Sequence, residues 1–444
     1  MTKTNLDTTK IWLKNSITLK LIVITFMIIL LLIPQEMIET IIHERKTLRS
    51  AAIQEVSNKW AKKQQIDGPI LTIPLVYTID SDEIDKEKLT ETKYLRVLPS
   101  DLKINGTISP KELRRGIYKV IVYQSDLDIN GVIQIPKIKE ENLIEVKWKD
   151  AHITVGISDL RGIKEDIKLK WGESILNIHS GSNISAIGSG ITARIKNLNT
   201  KNNSPIPFSF NLNLQGSERL SFSPNGDVTV VNISSPWADP SFDGNFLPNI
   251  REISEDGFIA SWKILEFNRN YPSAWYGQTY FSKMQESTFG VSLYSGIDNY
   301  QKSIRSAKYG AMIIALTFLT FFLIEVLYKR TTHPFQYALI GLALCLFFVL
   351  LVALSEHMPY EIAYVMGALS IIIMVSLYSL SVFRDKRMSF LLAVVLSLIY
   401  AFMYVTLQSA DYALLIGSIG LTAILGATMY FTRNIDWYRS KESP

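Results

Sequence analysis

The residues best suited to chemistry lie where apolar runs end. Ser355-Glu356-His357 closes one such run, and Gln408, Asp411, Arg305 and Lys308 fall at the ends of its neighbours. A histidine beside a carboxylate titrates near neutral pH, and polar groups gathered at the mouth of a helix bundle mark ligand or ion sites. The competing reading is a hydrated loop. In that reading Pro359 starts a helix where its missing N–H costs nothing, and Glu361 and Asp411 are favoured in first turns. Taken residue by residue, the hydrated loop carries the greater weight. A second group, Glu325 with Arg330 and His333, poses a similar choice between a proton relay and an ion pair that holds Glu325 near the lipid. The ion pair is favoured, and His333-Pro334 reads as a helix start.

The apolar runs themselves must position these groups. The first, LKLIVITFMIILLLI at 19–33, has Lys3, Lys10, Lys14 and Lys20 before it or at its edge. It resembles the basic region and apolar core of a signal peptide. The residues after it, PQEMIETIIHER, contain no small-x-small cleavage site, so it reads as a retained anchor. Five further runs follow at about 309–328, 335–354, 360–383, 388–407 and 412–432. Each has about 20 residues, enough to cross a hydrocarbon core of roughly 30 Å. Lys329, Arg330, Arg384, Lys386, Arg387, Arg433, Arg439 and Lys441 all fall on one side, whereas SEHMPYE and QSAD carry no Lys or Arg. This asymmetry is the positive-inside pattern, with both termini cytoplasmic.

The chain therefore reads as an α+β membrane protein with six transmembrane helices. Residues 1–18 form a cytoplasmic segment and 19–42 the anchor. Residues 43–304 form a large β-rich, sandwich-like outer domain, with 43–66 as a juxtamembrane helix. A five-helix bundle at 305–432 and a cytoplasmic tail at 433–444 complete it. After Gly68-Pro69 the apolar period changes from helical to two: ILTIPLVYTI, YKVIVYQ, HITVGIS, FSFNLNL and VTVVNIS alternate. Asn105-Gly106, Asn130-Gly131 and Pro224-Asn225-Gly226 read as the turns between strands. Whether this makes one large sandwich or two smaller domains is left open. From Ser235 the texture turns to Pro, Gly and aromatics. There Trp237, Phe242, Phe246, Trp262 and Tyr271 form either a ligand platform or, with more weight, the cap of a β core or a packing face against a membrane surface.

Several chemistries find no support. A net charge of +5 over 444 residues, with no helix-turn-helix, RNP or zinc-finger spacing, gives no reason to expect nucleic acid. A single cysteine, Cys345, rules out an intramolecular disulfide or a CxxC centre. The chain has no Walker loop, HExxH or GxSxG, and its five histidines are scattered. His152 and His179 fall on expected strands, Gly188-Ser189-Gly190 in a turn, and Ser158-Asp159 reads as an ordinary turn pair. No catalytic residue, metal ligand or cofactor is expected.

Longer stretches carry a resemblance. FSFNLNLQGSERLSFSPNG, SPWADPSFDGNFLP, GFIASWKI, KYGAMIIALTFLTFFLIEVL and THPFQYALIGLALCLFFVLLVALSEH resemble the CreD inner-membrane protein family. So does LQSADYALLIGSIGLTAILGATMYFTRNIDWY, together with Ile42, Glu44, Arg45 and Arg49 after the anchor. The resemblance implies a multi-pass bacterial inner-membrane protein linked to envelope stress and colicin tolerance, with no established activity, cofactor or catalytic residue. The expected function is non-enzymatic: the outer domain binds an envelope protein, lipid or glycan, and the bundle anchors it in the bilayer. A transporter or lipid-handling bundle is the alternative, and a membrane sensor a further one. Ligand and oligomeric state are not legible.

Overall fold

The computed structural model describes residues 17–78, 90–138, 141–196, 204–293, 299–328, 332–409 and 412–433. Among them the helices are α1 (Ile17–Trp60), α2 (Phe281–Glu286), α3 (Asn299–Lys308), α4 (Gly310–Leu327), α5 (Pro334–Ser355), α6 (Tyr360–Phe383), α7 (Lys386–Gln408) and α8 (Ala413–Thr432). Two compact units emerge: Met1–Arg49 with Asp298–Pro444, and Ser50–Ile297.

In the first unit, α1 and α4 to α8 are each long and apolar enough to cross a membrane. Their exposed side chains are themselves apolar: Ile22, Phe26, Ile29 and Ile33 on α1, for example, and Leu414, Ile419 and Leu425 on α8. That inversion suits a hydrocarbon solvent, where a helix satisfies its own backbone and needs no polar outer face. The opposite face of α1 is buried through Ile24, Leu31, Gln35, Ile38 and Ile42, spaced by helical turns.

Although some 250 residues separate α1 from α4 in the chain, the two run antiparallel in the bundle. Lys20 meets Glu325, and fifteen residues further along α1 the Gln35 amide donates to the Ala307 carbonyl. A Cβ added to Gly310 would lie 2.1 Å from that same amide, and one added to Gly341 of α5 would lie 2.1 Å from Leu31. Small residues therefore let α1 pack close, as in other membrane bundles. Between α5, α6 and α7 the interior is aromatic: the Phe347 ring lies 4.8 Å from Tyr400, 5.0 Å from Phe348 and 5.3 Å from Tyr364.

The second unit is built of strands. In chain order these are β1 (Gln64–Thr78), β2 (Thr90–Val97), β3 (Asp101–Arg115), β4 (Tyr118–Ile133), β5 (Leu143–Val146), β6 (His152–Ile157), β7 (Leu169–Trp171), β8 (Ser174–Leu176) and β9 (Ile178–Ser180). They continue with β10 (Gly190–Arg194), β11 (Ile206–Ser217), β12 (Arg219–Phe222), β13 (Val228–Ser235), β14 (Pro240–Gly244), β15 (Ile250–Ser254), β16 (Gly257–Leu265), β17 (Ala274–Tyr276) and β18 (Phe289–Leu293). One sheet runs β14-β18-β12-β1-β6-β10-β9, with β2 and β5 also on β1 and β17 on β2. The other runs β15-β16-β13-β3-β4-β11-β7-β8.

Alternate residues of both sheets enter a common core. Leu71, Ile73, Leu95, Ile153 and Ile191 come from the first sheet, and Ile104, Ile129, Leu212, Val231 and Trp262 from the second. A smaller apolar layer covers the other face of the first sheet, where Ile70 packs with Ile184, Ile187, Trp275, Phe281 and Met284. The question of one sandwich or two thus has an answer in the single shared core.

Two expected turns lie inside strands. Asn105-Gly106 pairs with Asp128 and Leu127 in mid-β3, and Asn130-Gly131 pairs with Lys103 and Leu102 in β4. The glycines are there for room. A Cβ at Gly131 would come within 2.2 Å of the Asp101 carbonyl oxygen and 2.7 Å of the Phe208 ring, and one at Gly106 within 2.3 Å of Leu127. The hairpin turn of β3 and β4 is Gly116-Ile117, with Gly116 at φ +59°.

Ser158-Asp159 is likewise more than a turn pair. The buried Asp159 carboxylate accepts from the Lys62 backbone N–H at 3.0 Å and from Arg161 Nη2 at 2.6 Å, joining the end of α1's segment to the start of a short 3-10 turn. The hydrogen bond from Arg161 is the main reason its pKa falls to about 2. A depressed carboxylate stabilises above its unfolded value and loses that contribution as pH falls through the folded one. Because Arg161 is largely exposed, the contribution is about 1–2 kcal/mol after screening. Acid unfolding followed by circular dichroism between about pH 5 and pH 2 should therefore be less steep in Asp159→Asn than in the parent. Equal slopes would refute the assignment.

Candidate functional site

At the α5–α6 turn, helix α3 supplies most of the partners. Tyr300 OH donates to Glu356 Oε1 at 3.0 Å, and Arg45 Nε of α1 lies 3.9 Å from the same oxygen. Lys302 Nζ bonds Glu361 Oε1 at 2.8 Å and sits 5.1 Å from the centre of the Tyr360 ring. Ser306 Oγ shares a 2.6 Å hydrogen bond with Tyr360 OH, and Asn299 Nδ2 donates to the Ser355 carbonyl at 3.1 Å. Helix α6 starts at Tyr360 with Pro359 as its N-cap and Glu361 in its first turn, where the helix dipole favours a carboxylate.

The expected cluster is therefore only partly assembled. Glu356 is engaged. His357 is exposed, and no side-chain bond to it is found among the described residues. Gln408 donates to Tyr404 OH of its own helix, 2.9 Å away, and its side chain also interacts with Glu361. Arg305 and Lys308 are exposed on α3, whose buried face is Tyr300, Ser303, Ser306 and Ala307. Asp411 lies outside the described residues. Stepping 100° per residue along NYQKSIRSAK puts Tyr300 and Ala307 on one side and Arg305 on the other, with Lys308 turned about 80° away from Tyr300. That signal was available in the sequence, and it favours Tyr300 over the two cations.

At the opposite helix ends, Glu325 is 3% exposed and carries four hydrogen bonds. Lys20 Nζ donates to Oε1 at 2.7 Å and the Thr332 N–H at 3.0 Å; Thr332 Oγ1 donates to Oε2 at 2.5 Å and Tyr337 OH at 3.1 Å. The expected ion pair is present, but its cation is Lys20 from the anchor helix. His333 serves as the N-cap of α5: its Nδ1 accepts from the Phe335 N–H at 3.2 Å, while Gln336 Oε1 accepts from the His333 N–H at 2.9 Å. Arg330 lies outside the described residues. Nothing local in the sequence connects Lys20 with Glu325, 305 residues apart, because only the packing of α1 against α4 brings them together.

These contacts tie helix ends together, with each carboxylate committed to a cation or hydroxyl from another element. The aromatic set after Ser235 is also structural. Trp262 is fully buried, 5.7 Å from both Phe242 and Phe289, and Tyr271 OH donates to the Pro224 carbonyl at 2.9 Å. No group of three or more His, Cys, Asp or Glu side chains placed to hold a metal occurs among the described residues.

The profile of the family described as "Inner membrane protein CreD" matches residues 16–438. Inner membrane protein CreD of Escherichia coli (strain K12) is 32% identical over 412 residues, covering 93% of this chain and 91% of that one. A yeast LTA4 hydrolase solved in complex with bestatin aligns at 8% identity and a TM-score of 0.21, over 50% of this chain and 34% of that chain, a likeness too slight to bear on fold or function. The six apolar helices, the β-rich unit between the first and the rest, and a match along nearly the whole length agree: the chain is a multi-pass inner-membrane protein and belongs to the CreD family.

Proposed function

We propose that the protein is a non-enzymatic component of the cell envelope whose β unit binds an envelope partner while the helical bundle holds it at the membrane. The observation that carries this reading is the use of the bundle's charges. Glu325, Glu356 and Glu361 are each tied to a group on another helix at a helix end, and aromatic rings fill the space between α5, α6 and α7. Charges used in this way fasten helices; a conduction path would expose them to a polar interior. The positive-inside pattern favours a β unit outside the cytoplasm.

Two measurements test the reading. In intact cells, a membrane-impermeant maleimide should label His357→Cys and leave Lys386→Cys unlabelled, against a low background because the native Cys345 is buried. The reverse labelling would overturn the orientation. Photo-crosslinkers placed on the exposed faces of the β unit should capture a discrete envelope protein, lipid or glycan, and adducts no different from those of a bundle-only control would sink the binding role. The transport alternative predicts substrate flux in reconstituted vesicles that Glu356→Gln abolishes.

A further inference from the structure

The outer face of the first sheet carries a row of side chains that the fastening role leaves unused. Cross-strand pairing sets Trp275 of β17 beside Arg96 of β2, then Thr72 of β1, His152 of β6 and Arg194 of β10. Directly paired residues share a face, about 5 Å apart from strand to strand. That face is the one opposite the common core, since the flanking Leu71, Ile73, Leu95, Ile153 and Ala193 point inward.

Arg96 is 1% exposed, and no carboxylate pairs with it among the described residues. Its Nη1 donates to Thr72 Oγ1 at 2.5 Å, its guanidinium lies 5.3 Å from the Tyr94 ring centre, and its Nε finds no protein acceptor. The indole N–H of Trp275 and Nε2 of His152, both on buried residues, are equally without a protein partner. A buried cation with unmet donors is costly to keep unless something anionic answers it.

The row is open at its exposed Arg194 end. Beside it lies a polar cavity of about 280 Å³ lined by His179, Ser180, Gly181, Asn183, Thr192 and Arg194. Arg194 belongs to both the cavity and the row. Thr192, which faces Thr154 Oγ1 at 3.3 Å, continues the same face one step further along the sheet.

We propose that this cavity forms a binding site for a tetrahedral phosphate-type oxyanion, with Arg194 and His179 at the mouth and the buried Arg96 and His152 behind them as longer-range positive charge. The site rests on the reading of the β unit as a binding module and gives that module a ligand class. Two sources carry this chemistry: a phospholipid headgroup and a soluble phosphate ester.

The geometry also gives a pH dependence. His152 Nδ1 faces the Asp150 carbonyl at 3.1 Å, so it carries the hydrogen there and leaves Nε2 bare in the neutral ring. Burial, then the Arg96 and Arg194 charges, hold the His152 pKa below its ordinary value, against the Asp150 carbonyl and carboxylate, which raise it. An oxyanion at Arg194 would offset those cations and favour the protonated ring. Binding should therefore take up a proton and tighten as pH falls.

The test is calorimetric titration of the full chain in phosphatidylcholine nanodiscs with inorganic phosphate and with sulfate, whose charge is constant across the range. Saturable binding is expected. Arg194→Ala, at an exposed position, should weaken it about tenfold, the equivalent of one charge-assisted hydrogen bond. Arg96→Met, which removes a charge set back from the cavity, should weaken it by a smaller factor, whereas Lys170→Ala on the other sheet should leave it unchanged. Sulfate should bind more tightly at pH 6 than at pH 8, by about severalfold, and His152→Gln should remove that difference. Nanodiscs containing phosphatidylglycerol identify the source: competition with phosphate assigns a lipid headgroup, and undiminished phosphate binding a soluble ester. No binding at about 10 mM anion, or equal affinity in Arg194→Ala and the parent, would overturn the site. Loss of the site with crosslinks to an envelope partner intact leaves the binding role standing, and loss of both removes that role as well.

Discussion

Glu325→Ala is expected to lower the stability of the helical bundle by about 3 kcal/mol, near the lower bound for breaking a buried ion pair. Four donors lose their acceptor at once: Lys20 Nζ, the Thr332 N–H, Thr332 Oγ1 and Tyr337 OH. Tyr337 is 4% exposed and has no water-facing alternative, whereas Lys20, whose side chain is 29% exposed, can turn partly toward the interface. That partial escape keeps the expected cost near the lower bound. Glu325→Gln keeps the shape and two of the hydrogen-bonding roles, so about half the loss is expected.

The effect should be coupled to the anchor helix. In a double-mutant cycle measured by thermal unfolding in detergent, Lys20→Met with Glu325→Gln should cost less than the two single changes summed, by about 1 kcal/mol or more. Additive losses would show that the Lys20–Glu325 pair does not help to hold α1. A Glu325→Ala protein within about 0.5 kcal/mol of the parent would remove the ion pair from any structural role.

What could be read in advance follows from the range of the interactions involved. Apolar runs of bilayer length are local and survive any packing, so 335–354 and 360–383 correspond closely to Pro334–Ser355 and Tyr360–Phe383. Alternation marks the strands with one wet face, such as β11 and β13. It fails at β14, β15 and β18, where Phe242, Phe246 and Phe289 pack as aromatics between the sheets and Pro240 and Gly244 interrupt the pattern. Asn105-Gly106 and Asn130-Gly131 lie within strands and not in turns, because the same residue type serves tight turns and tight packing and only the neighbouring strand distinguishes them. The polar clusters were half legible. Glu325 and Glu356 are conspicuous at span ends, but their partners Lys20, Arg45 and Tyr300 are set by helix contacts that no local pattern records.

Those aromatic contacts between the sheets lead to the largest expected effect in the β unit. Trp262 projects from β16 of the second sheet and is fully buried. Its ring lies 5.7 Å from Phe242 of β14 and 5.7 Å from Phe289 of β18, both strands of the first sheet. Its indole N–H donates to the Phe246 carbonyl at 3.2 Å. Trp262→Ala removes the ring that joins the two layers and leaves a void that β16, paired on both sides by β13 and β15, cannot close. A loss of about 4 kcal/mol follows from the usual cost of truncating a buried tryptophan. Trp262→Phe keeps most of the packing and orphans only the Phe246 carbonyl, for about 1–2 kcal/mol. Hydrogen exchange on the full chain separates the cases. Amides of β13 and β16 should lose protection roughly a thousandfold in the alanine variant and about tenfold in the phenylalanine variant, while α5 and α6 keep theirs. If the alanine variant exchanged no faster than the phenylalanine one, the ring would not be what holds the sheets together. Loss of protection confined to β14 would show that Trp262 secures that edge strand alone.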